Sequence, residues 1–204
     1  DLGSVHLFDA QSSAHLGEFA RWGLQDGDRF GTRLAASGSR VVVGVPFADD
    51  AGSSSGKAHL FCLLRDLGQP YCAPANANST GQPGILGAYG ADEIACGQFQ
   101  LAASQLPPAR PALVLAGQSM GWVPFVGGGQ GDLCLGGSIG RFRADVAYTD
   151  PDGTLFIPLD LGNLPLPLPP RVLPGDVWYF QLWFRDMSPG PTSNLTAGLR
   201  VRFL

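Results

Sequence analysis

Residues 177–185, which read Val-Trp-Tyr-Phe-Gln-Leu-Trp-Phe-Arg, carry the clearest secondary-structure signal of the chain. Large apolar side chains recur at every second position, and a period of two is typical of a β-strand with one buried face. One predicted face carries Trp178, Phe180, Leu182 and Phe184. The other carries Tyr179, Gln181, Trp183 and Arg185. We therefore predict a long strand whose first face belongs to a core.

Two further stretches alternate in the same way. Residues 199–203 place apolar side chains at odd positions and arginines between them, and residues 155–159 also alternate. Pro158 indicates an edge position for the second stretch, because proline lacks the N–H group that a central strand donates. Several such strands separated by turns predict a β-sandwich. The proline-rich run 164–170 is expected to cross between the sheets as an extended connection.

The composition agrees with an all-β fold. The 204 residues include 29 glycines and 17 prolines, and both residue types disfavour helix interiors. We expect less than about 10% helix. The net charge of −4 and the single lysine, Lys57, argue against nucleic acid as a partner. The sequence also lacks an apolar run of about 18 residues, so we predict no membrane span.

An internal repeat defines the N-terminal third. Gly-Ser-Val-His-Leu-Phe at 3–8 recurs as Gly-Lys-Ala-His-Leu-Phe at 56–61. This offset is close to the period of about 40 to 50 residues found in propeller blades. We predict one blade-like sheet between the two copies, with residues 3–8 as an extra leading strand.

This region resembles the FG-GAP repeat of integrin-alpha-type β-propellers, in the variant common in large secreted bacterial proteins. The resemblance is carried by Phe30-Gly31, Gly44-Val45-Pro46 and residues 56–61, and it spans residues 1 to about 66. Many such repeats hold calcium in a D-x-D-x-D-G loop. The corresponding loop here, 49–55, offers two carboxylates and three serine hydroxyls, which is a poor match to a site of six to eight oxygens. No cofactor is predicted, and calcium is doubtful.

The remainder resembles the C-terminal domain that follows such repeats in many secreted bacterial proteins of unassigned function, and this resemblance brings no activity with it. The matching segments are 71–72, 78–82, 131–137, 139–141, 180–186 and 193–196. We predict a blade with its leading strand at 1–66, a linker at 67–84 and a β-sandwich domain at 85–204, which could instead begin near residue 71.

The four cysteines form no C-x-x-C pair, which argues against zinc and thiol-redox sites. Their even number favours disulfides and a secreted, extracellular or cell-surface location. Four cysteines allow three pairings. Cys72 and Cys134 both lie within the resemblance to the C-terminal domain, so this pair is preferred, and Cys62 with Cys96 is the remainder.

No catalytic, nucleotide or metal site is predicted. Ser119 lies in a G-x-S-x-G sequence after an apolar run, but the following residues cannot form the helix that a nucleophile elbow needs. His6 and His59 occupy equivalent repeat positions, which favours strand packing over metal binding. Residues 150–153, Asp-Pro-Asp-Gly, favour a hairpin turn over a cation site. The glycine-rich run 127–131 lacks the lysine and helix of a phosphate-binding loop.

Aromatic side chains provide a candidate ligand surface. Tyr179 and Trp183 lie on the predicted outer face of the long strand, and Trp122 lies near the glycine-rich run together with Phe125. Exposed rings of this kind stack on sugars or contact protein partners. The preferred alternative is that a loop or the other domain covers these rings.

A single blade cannot bury both faces of its sheet. Either the chain is part of a longer propeller protein, or neighbouring copies complete the sheet. In the second case the leading strand, with Leu2, Val5, Leu7 and Phe8, is expected to pair with another copy. Our leading hypothesis is a secreted, non-enzymatic structural or adhesive protein that binds itself or other surface proteins, with head-to-tail assembly into a filament or lattice as its sharper form. The alternative is a polysaccharide- or cell-surface-binding module of a larger secreted protein.

Overall fold

The computed structural model describes residues 2–19, 23–143, 145–164, 171–187 and 189–204. The chain divides into two compact units, Asp1–Leu63 and Leu64–Leu204. Both units are built from antiparallel strands, and in the described residues the helical segments are two short 3-10 turns, Ile94–Cys96 and Val126–Gly128. The all-β fold class is therefore confirmed. None of the helical segments in these ranges is long and apolar enough to cross a membrane.

The described residues of the first unit form two small sheets. Its strands are β1 His6–Phe8, β2 His15–Glu18, β3 Arg33–Ser37, β4 Arg40–Val45 and β5 Lys57–Cys62. Strands β3, β4 and β5 form a three-stranded antiparallel sheet, and β1 pairs with β2 in a separate ribbon. The core combines both: Val5 and Phe30 pack with Val43 and Val45 of β4.

The prediction for the leading strand is wrong in one respect. Residues 2–8 were expected to lack a partner in their own domain, yet β1 pairs antiparallel with β2 inside the first unit. The backbone N–H of Phe30 also donates to the carbonyl oxygen of Leu2 at 3.0 Å. Val5 lies in the core, whereas Leu7 is half-buried and Phe8 is exposed. The main physical reason for pairing with another copy is therefore absent.

The second unit is the β-sandwich. Its strands are β6 Arg65–Leu67, β7 Gln69–Tyr71, β8 Ile85–Gly90, β9 Phe99–Ser104, β10 Pro111–Gly117, β11 Ser119–Val123, β12 Leu133–Gly136, β13 Gly140–Arg141, β14 Ala147–Tyr148, β15 Leu155–Pro158, β16 Val177–Asp186, β17 Thr192–Leu195 and β18 Gly198–Arg202. Four strands form one sheet in the order β15-β9-β8-β6. Seven strands form the other, with the path β13-β10-β16-β18-β7, β14 beside β10 and β17 beside β16. Strands β11 and β12 form a separate hairpin.

The core lies between the two sheets, and β16 contributes most to it. Trp178, Phe180, Leu182 and Phe184 are all at most 1% exposed, as the alternation predicts. They pack with Leu101 of β9 and with other apolar side chains of the four-stranded sheet. Pro158 lies in β15, which is an edge strand as expected. The side chains on the opposite face of β16 point away from this core and can therefore contact other parts of the second unit.

Residues 67–84, predicted to be a linker, belong to the second unit. Strand β7 pairs with β18 at the edge of the seven-stranded sheet, and Ala77 forms an isolated bridge with Pro83. The turn at 150–153 is present, with the Gly153 N–H donating to the Asp150 carbonyl at 2.9 Å. It does not close a hairpin, because β14 and β15 belong to different sheets. Of the proline-rich run, residues 165–170 lie outside the described residues.

Candidate functional site

Three adjacent cross-strand rows of side chains on the outer face of the seven-stranded sheet form the candidate site. Leu115 of β10 lies between Arg141 and Gln181 in register. Two residues along, Leu113 pairs with Trp183, which pairs with Leu195. Because directly paired residues of antiparallel strands point to the same face, each row forms a continuous strip. The third row pairs Arg185 with Ser193.

The β11–β12 hairpin covers the first of these rows through Gln181, whose side chain is fully buried. The Cys134 N–H donates to Gln181 Oε1 at 2.9 Å. Gln181 Nε2 in turn donates to the carbonyl oxygens of Asp132 and Thr196, at 2.8 and 2.7 Å. Two of these three bonds tie Cys134 of β12 and the preceding Asp132 to β16, and the third holds Thr196, between β17 and β18, on the same side chain. A buried polar group that satisfies its partners in this way fixes the position of the hairpin.

Strand β12 is also held covalently. Cys134 forms a disulfide with Cys72, the preferred pair, with a Cα–Cα distance of 6.3 Å. Cys62 and Cys96 are disulfide-bonded as well, so the chain has no free cysteine. The Tyr71 hydroxyl donates to the Cys134 carbonyl at 3.0 Å. Several contacts therefore converge on one residue of β12.

The glycine-rich loop between β11 and β12 is closely packed on β17. A Cβ atom at Gly131 would lie 2.3 Å from the Leu195 nitrogen, so only glycine fits there. The Gln130 N–H donates to the Ser193 carbonyl at 2.7 Å, and Asn76 Nδ2 donates to the Gln130 carbonyl at 2.8 Å. The loop is thus a structural connection, and it leaves Val126 beside the outer face of the sheet.

Burial and a neighbouring phenol act together on the Tyr71 hydroxyl group. Burial raises the pKa of Tyr71, and the nearby Tyr179 side chain raises it further. Because the ordinary tyrosine pKa is about 10, the unfolded chain releases this proton at a lower pH than the folded chain does. The contribution of Tyr71 to stability is therefore complete below about pH 10 and is lost as the pH rises towards the folded-state pKa.

We expect the Tyr71→Phe variant to lose less stability than the wild type between about pH 10 and pH 11. The variant lacks the titrating phenol, although it is less stable at neutral pH because it lacks the hydrogen bond to Cys134. Urea denaturation at a series of pH values measures the difference. Parallel pH profiles of the two proteins would contradict this assignment.

Between the hairpin and the second and third rows lies a depression of about 430 Å³, which we call the arginine groove. It is lined by Leu113, Leu115, Val126, Gly127, Leu133, Arg141, Arg143, Trp183, Arg185, Ser193 and Leu195. Its floor is aliphatic, and its three arginines are exposed. The Arg185 guanidinium lies 5.2 Å from the centre of the Trp183 ring, within the range of a cation–π contact.

The charged side chains that line the arginine groove are all positive. None of its lining residues is acidic. Within the described part of the chain, no carboxylate forms an ion pair with Arg141, Arg143 or Arg185. Elsewhere basic side chains do have such partners, since Lys57 pairs with Asp50 at 2.8 Å. The arrangement is suited to an anion that also has an apolar part.

The three aromatic residues proposed from the sequence do not form one surface. Trp183 lines the arginine groove, and Tyr179 is half-buried and packs edge-on against Tyr71. Trp122 lies on β11, is 65% exposed and is not part of the groove. Phe125, at the start of the loop, is 61% exposed.

The serine and the two histidines that the sequence analysis considered for catalysis or metal binding lie among structural contacts. Ser119 begins strand β11, so a strand follows it where a nucleophile elbow has a helix. His6 is exposed, with Nδ1 3.2 Å from Nε2 of His15. His59 packs edge-on against Phe30, with ring centres 6.0 Å apart, so the two repeat positions have different environments.

In the loop at 49–55, both aspartate side chains interact with groups of the protein itself. Asp49 accepts a hydrogen bond from the Ser54 N–H at 2.6 Å, and Asp50 pairs with Lys57. Among the residues described, no three His, Cys, Asp or Glu side chains lie close enough together to hold a metal ion.

The arginines of the groove were missed by sequence reasoning. Arg185 was placed on the outer face of its strand, but Arg141 and Arg143 come together with it only through the pairing of β10 with β13 and β16. The one local signal of this site was the period of two along β16, which places Trp183 and Arg185 on the same face. The remaining pairings join residues far apart in the sequence, such as Leu115 with Arg141 and Leu113 with Trp183, and such pairings have no local signature.

Comparison with known protein families gives a match in the first unit. Residues 24–61 match the family model of the FG-GAP repeat. This supports the resemblance proposed for the N-terminal third, over a shorter range. No curated protein and no solved structure matches the chain. The proposed resemblance of the C-terminal region to domains of secreted bacterial proteins is thus not supported by any relative.

Proposed function

We propose that the chain is a secreted, non-enzymatic adhesion module that holds an anionic ligand in the arginine groove. The FG-GAP repeat suggests a module of the adhesion or binding type. Disulfide bonding of all four cysteines supports an extracellular location. The observation that carries the proposal is the set of three exposed arginines, unpaired with carboxylates among the described residues, around an aliphatic floor.

Self-assembly through the leading strand is not part of this proposal. Strand β1 has a partner in β2, and Val5 is buried in its own unit. An adhesive role through the second unit does not require the first to donate a strand. Contacts with other surface macromolecules therefore replace contacts with further copies as the proposed basis of adhesion.

The test compares binding to immobilised polyglutamate and polygalacturonate with binding to neutral dextran. We expect the wild type to be retained on at least one anionic polymer, and the triple variant Arg141→Gln, Arg143→Gln, Arg185→Gln to lose at least tenfold in affinity. The matched control is Arg171→Gln, Arg200→Gln, Arg202→Gln, which removes the same charge outside the groove and should bind normally. Equal losses in the two triple variants, or no retention of the wild type, would overturn the proposal.

Carbohydrate binding through the hairpin is a second candidate function. The observation that favours it is the exposure of the Trp122 and Phe125 rings on β11 and its loop. It predicts that Trp122→Ala abolishes retention on a neutral polysaccharide, with the groove variants unaffected. A polysaccharide array probed with both variants separates the two functions.

A further inference from the structure

We propose that the arginine groove binds an extended polypeptide segment of the pattern acid-x-apolar-x-acid. This inference rests on the proposed function and specifies the ligand class of the same site. The three cross-strand rows supply both the chemistry and the spacing of the pattern.

The floor of the groove favours an apolar side chain over a sugar. Sugars are held by hydrogen bonds to their hydroxyl groups, whereas the lining offers one side-chain hydroxyl, Ser193, among leucines, a valine and Trp183. An aliphatic side chain placed on Leu113 and Trp183, the half-buried members of the central row, would instead leave no polar group unpaired. The central row therefore selects an apolar residue.

The arginines favour carboxylates on both sides of that residue. Arg185 lies one row beyond Trp183 on β16, and Arg141 lies in the row on the opposite side, through Leu115. Successive rows are two residues apart along a strand, about 6.5 Å. In an extended peptide the side chains at positions i−2, i and i+2 share one face with the same spacing. The three side chains lie on a diagonal, with Arg185 on β16, Leu113 on the neighbouring β10 and Arg141 on β13 beyond it. A peptide that crosses the sheet along this diagonal places two acids on Arg141 and Arg185 with an apolar side chain between them, and the long arginine side chains span the sideways step between strands.

A peptide fits better than an anionic membrane. The chain carries a net charge of −4, which opposes its approach to an extended negative surface. A short peptide brings its carboxylates to the arginines alone. Each guanidinium can bind a carboxylate through two parallel hydrogen bonds, which gives the site geometric selectivity as well as attraction.

The experiment uses fluorescence polarisation with the full chain and the labelled peptide Gly-Ser-Glu-Thr-Leu-Thr-Glu-Ser-Gly. The two comparison peptides have glutamine for both glutamates, or the same residues with the leucine moved to one end. We expect the first peptide to bind at least tenfold more tightly than either comparison. Arg141→Gln and Arg185→Gln should each weaken it about fivefold to tenfold. Arg202→Gln, on β18, should leave it unchanged.

The outcomes distinguish this inference from the function on which it rests. Retention on polygalacturonate that depends on the groove, without peptide binding, overturns the peptide inference and leaves the proposed function standing. Failure of both assays overturns both. Equal binding of the glutamate and glutamine peptides shows that the arginines do not select acids, and it also overturns the inference. Because the arginines are exposed, each variant should have the same midpoint of urea denaturation as the wild type. This midpoint is measured for every variant as a check on folding.

Discussion

Replacing Phe180 with alanine is expected to lower the free energy of unfolding of the sandwich by about 3 to 5 kcal/mol. The side chain is fully buried in β16, and the centre of its ring lies 5.9 Å from the centre of the Phe99 ring in the facing sheet. Its removal leaves a cavity that rigid strands on both sides cannot close. Urea denaturation followed by tryptophan fluorescence measures the loss, since three of the four tryptophans belong to the second unit.

The control for Phe180 is Phe156→Ala. Phe156 is also in a strand of the sandwich, but it is 59% exposed on the outer face of β15. Its replacement should change the free energy of unfolding by less than about 1 kcal/mol. Similar losses in the two variants would show that the core does not lie between these sheets.

The Gln181→Leu variant is expected to lose about 2 to 4 kcal/mol and to release the hairpin from the sheet. Leucine has a similar volume, but it leaves the Cys134 N–H and the Asp132 and Thr196 carbonyls without their partner. Buried groups left unsatisfied each cost about 1 to 3 kcal/mol, partly recovered where water enters. Hydrogen exchange at the Cys134 amide should accelerate in the variant by more than tenfold.

Gln118→Leu is the matched control, because Gln118 is exposed between β10 and β11. It should leave both the stability and the exchange rate near the wild-type values. Unchanged exchange at Cys134 in the Gln181 variant would mean that the disulfide and Tyr71 hold the hairpin without help from the amide. The arginine groove would then not depend on this residue.

The core of the sandwich could be predicted because its signal is local. Alternation along β16 placed its four large side chains on the buried face, and Pro158 indicated an edge strand; both agree with the structure. Each inference used the period of a single strand or the chemistry of a single residue. Neither required knowledge of which strand lies beside which.

The errors arose where a pairing joins weakly patterned segments. Strand β2, His-Leu-Gly-Glu, is short and contains a glycine, so the partner of the leading strand could not be recognised. Residues 67–84 are rich in turn-forming residues, yet β7 is held in the sheet by β18, more than a hundred positions further along. Turn composition indicates where the chain bends, but it does not show whether the bent segment packs on a distant strand.

The attachment of the β11–β12 hairpin through its loop and β12 has a consequence for protein engineering. Its anchoring contacts involve Asp132, Cys134 and the loop residues beside β17, whereas Trp122, Val123 and Phe125 project into solvent. Randomising Trp122 and Val123 should therefore produce libraries that fold as readily as the parent, whereas Phe125, with φ of 48°, tolerates fewer residue types. The neighbouring groove would supply a constant cationic element, and the varied side chains would supply new selectivity, as in scaffolds whose loops are diversified on a rigid sheet.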